Sequence, residues 1–300
     1  MSRRVPYVLG VDLGGTRMKL LAITPDGRML ARKTAASGDR HWQKNVRAAV
    51  ASLAVRLGPP RAIGAAAPGL AAPDERSIAF MPGRLPGLED LDWTRFLGAR
   101  RTVPVVNDAH AALLGEHWCG AAQGADNVLL LTLGTGVGGA VLANGRLLRG
   151  HLGRAGHIGH MTVNAGGPGD LVGTPGSLED AVGNHSLSLR TRGRFTDTAT
   201  LVSALAGNDS LARRTWARMI RDLAAALASL INLFDPERIV IGGGIAEAGD
   251  ALFVPLARAL DRVEWRPGGA RVQIVKAALG DFAGAYGAAQ RALVLHEFTA

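Results

Sequence analysis

The chain has 300 residues, 47% of them apolar, enough for two domains that each bury a core. No uninterrupted apolar run reaches the roughly 18 residues of a membrane span, so no membrane partner is expected. The net charge of +9 invites a nucleic-acid partner, but its arginines (Arg28, Arg56, Arg146, Arg190, Arg218, Arg271) are scattered singly without interleaved aromatics, and no nucleic-acid binding is expected.

Arg3 and Arg4 precede apolar residues, yet Asp12 interrupts that run and no small-residue cleavage site follows. The N-terminus therefore reads as a buried first strand and not a signal peptide. Cys119 is the single cysteine, so no intrachain disulfide forms, as suits a reducing cytoplasm.

Val8-Leu-Gly-Val-Asp-Leu-Gly-Gly-Thr16 is an apolar strand entering a glycine turn. It continues into Met18–Ile23 and the turn Pro25-Asp-Gly-Arg28, so residues 6–33 predict a hairpin plus a third strand edge. Trp42–Leu57 carries helical apolar spacing (Val46, Val50, Leu53) and ends before Gly58-Pro-Pro60. Ala62–Ala67 and Val103–Val106 are short buried strands, the second delivering Asn107 and Asp108 at its C-terminal end, and Ala109–Cys119 predicts a helix.

The plan then repeats. Val128-Leu-Leu-Leu-Thr-Leu-Gly-Thr-Gly136 runs into Val137-Gly-Gly-Ala-Val-Leu142 and the turn Asn144-Gly145. A glycine-rich stretch over 150–176 shows little helical pattern. Leu178–Leu189, Thr200–Leu205 and Leu211–Phe234 predict helices, the last closed by Asp235-Pro236. Arg238–Ile241 is a strand ending in Gly242-Gly-Gly244, Gln273–Lys276 is a last strand, and Gly284–Leu295 a last helix. The whole is α/β, with a first lobe over 1–115, a second over 116–283, and the helix of 284–300 returning to the first.

Glycine turns let the backbone approach an anion and aim N–H groups at it, so two matched turns facing each other would clamp a polyphosphate. This is the signature of a phosphotransferase. Gly134-Thr-Gly-Val-Gly-Gly139 also matches the dinucleotide pattern G-x-G-x-x-G, which requires a helix opening in the loop. A strand and a tight turn follow instead, and no G-x-x-x-x-G-K-[ST] phosphate loop occurs.

Asp12-Leu-Gly-Gly-Thr16, Asn107-Asp108, Leu133-Gly-Thr-Gly-Val-Gly-Gly139, Gly156-His-Ile-Gly-His160 and Ile241-Gly-Gly-Gly244 together resemble, in this order, the ROK family of bacterial sugar kinases and sugar-responsive repressors. The resemblance covers essentially the whole chain. It implies a two-lobed, duplicated actin/hexokinase-like (ribonuclease H-like) fold with the active site in the interlobe cleft. It implies ATP and Mg²⁺, with Gly14, Gly15, Thr16 and Lys19 in the first phosphate loop and Gly134, Thr135 and Gly136 in the second. Gly242, Gly243 and Gly244 would lie against adenosine, and Asp12 would orient Mg²⁺ through water.

The same resemblance makes Asp108 the base that accepts the proton of a sugar hydroxyl, commonly the 6-OH; by its position alone it could equally cap the following helix. Asn107, His157, His160, Glu179, Arg84, Gly69 and Gly139 would line the sugar. Glucose is the default substrate, with amino or N-acetylated hexoses, mannose and fructose open, and polyphosphate open in place of ATP. A homodimer is implied, with a tetramer as the alternative.

Three departures stand out. His157 occupies a position where the family carries a carboxylate, and its imidazole offers one donor and one acceptor instead. The cysteines that hold a structural zinc with a histidine in most members become Asp170, Val172 and Ser177, so no zinc is expected, and neither is a substitute site at His151, His157 and His160. The loop over 164–176 must then be held by other contacts or be mobile. Arg84 replaces an asparagine and either contacts substrate or points into solvent. Only eleven residues precede Asp12, too few for a helix-turn-helix, so a DNA-binding repressor is not expected. A non-catalytic sugar-binding protein is the remaining rival, against which the retained Asp12, Asp108 and both loops argue.

Overall fold

The structure is a computed structural model that describes residues 5–38, 40–81 and 85–296. It divides into two compact units. The first comprises the described residues of Met1–Gly124, Leu147–Ala155 and Ala278–Ala300, and the second Ala125–Arg146 and Gly156–Ala277. Relative to the sequence expectation, the first stretch runs past residue 115 to Gly124, 147–155 joins the first unit, and the last stretch begins at Ala278 and not at 284. The differences have local causes. Glu116 is fully buried and accepts hydrogen bonds from the Ala121, Ala278 and Leu279 N–H groups, so it cannot sit at a domain edge. Arg149 binds the Glu75 carboxylate at 2.8 Å and the Ala72 carbonyl at 2.9 Å, which ties its segment to the first unit.

In the first unit the hairpin forms β1 (Val8–Leu13) and β2 (Arg17–Ile23), paired antiparallel with Asp12 opposite Lys19, and β3 (Met29–Ala36) extends it. The helix α1 (Trp42–Leu57) follows, then β4 (Ala62–Ala67), parallel to β1. A small hairpin, β5 (Leu70–Ala71) and β6 (Ile78–Phe80), and the short α2 (Trp93–Leu97) escaped prediction because each spans only a few residues. β7 (Val105–Asn107) is parallel to β4 and leads into α3 (Asp108–Cys119). One face of the sheet packs Leu9, Val11, Met18 and Leu20 against Trp42, Trp93 and Phe96, whose rings lie 5.5–6.1 Å apart.

The other face receives the C-terminal helix, Ala283–Leu295, almost without side chains. A Cβ on Gly10 of β1 would stand 1.8 Å from the Ala285 carbonyl oxygen, and one on Gly64 of β4 would stand 1.9 Å from that of Ala288. On its far side the helix meets α3 as closely, since a Cβ on Gly287 would fall 1.7 Å from the Ala111 carbonyl oxygen. Glycine is required at these positions by proximity, not by dihedral angle.

The second unit repeats the first sheet. β8 (Val128–Leu133) and β9 (Val137–Ala143) form its hairpin, β10 (Arg146–Leu147) extends it, and β11 (Arg238–Gly242) and β12 (Gln273–Lys276) add parallel strands beside β8. Both sheets therefore share one order: third, second, first, fourth and fifth strand. The predicted helix over 178–189 is broken into α4 (Leu178–Val182), a turn of 3₁₀ helix, and α5 (Leu187–Arg190). The break exists because the Asn184 and His185 N–H groups bond to the Gly134 and Thr135 carbonyls instead of continuing the helix.

α6 (Thr198–Ala206) and α7 (Ser210–Phe234) follow, α7 burying Trp216, Met219, Leu223, Leu227 and Ile231 against Leu129, Leu131, Ile239 and Ile241 of the sheet. α8 (Asp250–Leu260), which the sequence reading did not anticipate, buries Leu252, Leu256 and Leu260 despite an internal Pro255. Proline donates no bond to the carbonyl four residues back, and here the Trp216 indole N–H supplies it, reaching the Ala251 oxygen at 2.9 Å. Among the described residues no helix is long and apolar enough to cross a membrane.

Replacing Gly64 by alanine should lower unfolding stability by about 3 kcal/mol, because overpacking a rigid backbone contact leaves nothing to yield. Gly207→Ala, whose nearest contact would be 3.6 Å away, should stay within about 0.5 kcal/mol of the parent. Urea denaturation midpoints of the two variants check this.

Candidate active site

Parallel strands gather polar residues at their C-terminal ends. In the first unit β1 ends on Asp12-Leu13, and β4 and β7 end side by side at Ala67 and Asn107. Asp12 is buried, with the Lys19 Nζ 3.6 Å from its Oδ2. Burial raises its pKa from the ordinary 3.8 to about 6; Lys19 opposes this, while Asp108 and Asp281 add to it. Gly284 belongs to the same packing, since a Cβ there would sit 2.8 Å from the Asp12 carboxyl carbon.

Asn107, not Asp108, caps α3: its Oδ1 accepts from the Ala109 and His110 N–H groups at 2.9 and 3.2 Å. Its amide nitrogen donates to the Gly69 carbonyl at 3.0 Å, and its side chain favours the charged form of the neighbouring Asp108 carboxyl. The Asn107 side chain is thus committed within the protein and holds Asp108 and Gly69 in place. Gly69 itself has φ +100°, and a Cβ there would meet the Phe80 carbonyl oxygen at 2.6 Å. Asp108 is reached by solvent, while its Oδ1 accepts from the Ala109 N–H at 2.8 Å. Loss of hydration raises its pKa, against the lowering effect of Ala109, Asn107 and Lys19.

Gly14, Gly15 and Thr16 form the turn between β1 and β2. The Gly14 N–H bonds the Arg17 carbonyl at 3.0 Å, and the Ser37 hydroxyl donates to the Gly14 carbonyl at 2.6 Å. A Cβ on Gly15 would meet nothing within 4 Å, so this turn opens onto free space. Arg84 lies outside the described residues.

In the second unit Gly134, Thr135 and Gly136 form the equivalent turn, with the Gly134 N–H on the Gly136 carbonyl at 2.9 Å. Here the sequence reading missed how the turn is held. Glu179, expected at the sugar, accepts the Val137 N–H on its Oε2 at 2.8 Å, and a Cβ on Gly136 would strike that same oxygen at 2.4 Å. Gly139 likewise serves packing: a Cβ there would meet the Gly156 carbonyl oxygen at 2.6 Å. That contact seats the 3₁₀ turn Ile158–His160, which His157 opens, directly on β9. Gly242 pairs in register with Thr132, and Gly243 presses on the Leu133 backbone, so the late triplet adjoins the second turn. A Cβ on Gly244 would meet nothing within 4 Å.

His160 does not stand alone. Its Nδ1 bonds the Asp170 Oδ2 at 2.8 Å, and Asp170 also accepts from the Val172 and Thr174 N–H groups at 3.0 and 2.9 Å. Burial would raise the Asp170 carboxyl, but His160, these two amides and the Ser177 hydroxyl outweigh it and hold it below the ordinary value. Val172 is 60% exposed, and among the described residues no group of three His, Cys, Asp or Glu could hold a metal ion.

The glucokinase of Thermotoga maritima is 33% identical to the chain over 271 residues, covering 83% of this chain and 85% of that protein. The ROK hexokinase of Thermus thermophilus superposes with a TM-score of 0.85 at 32% identity, covering 97% and 99% of the two chains. A ROK family glucokinase from Streptomyces griseus, solved with glucose and AMPPNP, gives 0.78 at 28% identity over 95% and 99%. The model of the ROK family matches residues 8–295, and with both units built on the sheet order of the actin/hexokinase-like fold, the chain belongs to the ROK family.

Proposed function

We propose that this chain, a carbohydrate kinase, transfers the γ-phosphate of ATP to a hexose, most simply to the 6-OH of glucose, with Asp108 as general base. The observation that carries the reading is the grouping of Asp12 and Asp108 at the C-terminal ends of parallel strands, Asp12 paired with Lys19 from the neighbouring strand and Asp108 held by the Ala109 N–H. The Streptomyces griseus relative, which binds glucose and AMPPNP, supports the choice of substrates.

The N–H groups around Gly14–Thr16 and Gly134–Gly136 would receive phosphate oxygens, where the open space over Gly15 and Gly134 admits an anion to the backbone. Gly242–Gly244 would border the nucleoside. Asp12 fits a divalent cation because a buried carboxylate with a raised pKa lacks a full countercharge. Held there through water, Mg²⁺ would neutralise charge on the transferred group.

Asp108, fixed by Asn107 and the Ala109 N–H, would align the sugar hydroxyl and take its proton as the oxygen attacks phosphorus. A weak base suffices, since the hydroxyl keeps its proton until late in a loose phosphoryl transfer. His160 and His157 would bind sugar hydroxyls beside Glu179. Because His157 both donates and accepts where a carboxylate only accepts, amino sugars, N-acetylated hexoses, mannose and fructose belong beside glucose in any substrate panel.

Asp108→Asn should lower kcat by about 10²–10⁴-fold while leaving sugar and nucleotide affinities, read by calorimetry, within a few-fold of the parent. Normal turnover in that variant, or no ADP release from the parent with any hexose, hexosamine or N-acetylhexosamine, overturns the assignment.

The raised Asp12 pKa has a stability consequence. The folded chain keeps a proton that the unfolded chain releases between pH 3.8 and about 6, so stability falls as pH rises through that window. Asp12→Asn should therefore melt higher than the parent at pH 8, by on the order of 2 kcal/mol, with Lys19 hydrating in place of its lost partner. The gap should close below pH 4. Thermal melts of metal-free protein at both pH values check it.

A further inference from the structure

Within the second unit, Asp170 joins elements that the sequence keeps apart. Its side chain is only 1% exposed, yet it carries three hydrogen bonds: from the Val172 and Thr174 N–H groups to Oδ1, and between Oδ2 and the His160 Nδ1, with the Ser177 hydroxyl also favouring its charged form. The Ser177 Oγ in turn accepts the Asp180 N–H and caps α4, the helix whose Glu179 holds the second glycine turn. The His160 side chain is 30% exposed, and no second hydrogen bond to its ring occurs among the described residues.

An ionised carboxylate only accepts. Two of the three bonded partners of Asp170 are backbone N–H donors that fill Oδ1, and its carboxyl is held below the ordinary value, so the remaining partner, His160 Nδ1 on Oδ2, must carry the proton of that bond. We infer that Asp170 is a positioning residue that locks His160 in the Nδ1–H tautomer, so that its accessible Nε2 is presented as a hydrogen-bond acceptor to a sugar hydroxyl. The tautomer assignment stands on the protein alone; the role toward sugar rests on the kinase reading above. A ring fixed at Nδ1 by a buried acceptor has one orientation and one polarity at Nε2, which selects a hydroxyl that donates.

Asparagine at this position reverses the logic. Its single oxygen is claimed by the Val172 and Thr174 N–H groups, so its NH₂ must face His160 and Nδ1 must become the acceptor. The proton then moves to Nε2, and the ring offers a donor to the sugar.

The test is ¹⁵N NMR of the imidazole nitrogens in the full-length protein, with His160→Gln used to assign the signals. The parent should show a protonated Nδ1 and an unprotonated Nε2 at pH 8, and Asp170→Asn should show the two exchanged. In parallel, calorimetry with monodeoxyfluoro glucoses, which accept but cannot donate at the altered carbon, should find one that binds the parent about tenfold more weakly than glucose. That penalty should shrink in Asp170→Asn.

A parent with Nε2–H overturns the inference without any variant having to fold. So does an unchanged tautomer in a folded Asp170→Asn, or the same fluoro-sugar penalty in both proteins. If the parent binds no hexose while its tautomer and the exchange are as stated, the sugar role falls with the kinase reading and the lock itself stands.

Discussion

Backbone-to-backbone packing of the C-terminal helix in the first unit is the constraint from which the chemistry there follows. Gly10 and Gly64 let the helix settle on β1 and β4, and Gly287 lets it approach α3 as closely on its other side. The same helix opens with Gly284 against Asp12, so the carboxylate expected to serve the metal is confined by a main chain with no side chain to swing away. Proximity at that scale places a charge within fractions of an ångström, and it also removes the water that would have stabilised it. The raised pKa of Asp12 and its pairing with Lys19 are the electrostatic face of that packing decision.

The second unit reaches the same end by hydrogen bonds. A line of polar contacts runs from His160 through Asp170 and Ser177 into α4, and from Glu179 to the N–H of Val137 beside the second glycine turn. A residue expected to touch the sugar, His160, and the turn expected to touch phosphate are therefore tied to the same short helix, α4. Buried polar networks of this kind specify one arrangement when every member has its partner. Asn107 does the equivalent work in the first unit, spending its amide on α3, Gly69 and Asp108.

Much of this was legible in the sequence because period and glycine placement are local signals. The twin hairpins, the parallel strands ending at Asn107 and Gly242, and the long helix closed at Asp235-Pro236 were readable from alternation, apolar spacing and turn residues. α8 escaped because Pro255 argues against a helix, and the Trp216 indole, bonded to the Ala251 carbonyl 35 residues further on, makes it tolerable. The break at Gly183 escaped because it is set by bonds to a turn some 50 residues away. The same limit applied to side-chain roles. Motif position put Asn107 and Glu179 at the sugar, but no one-dimensional pattern shows that the Asn107 Oδ1 also caps α3 or that one Glu179 oxygen also holds the Val137 N–H. Asp170 was noted as a replaced ligand position, with nothing in its neighbours to announce three hydrogen bonds.

The two sheets share a strand order and yet differ in how their helices are attached, and that difference shapes how each half tolerates mutational drift. Around α7, Trp216, Met219, Leu223 and Leu227 interdigitate with leucines and isoleucines of the sheet, so volume lost at one position can be regained at another. The glycine seam of the first unit has no such currency. Nothing smaller than hydrogen exists to compensate an added methyl group, so paired substitutions offer no escape, and neutral wandering should proceed through one copy of the duplicated plan while the other stays frozen.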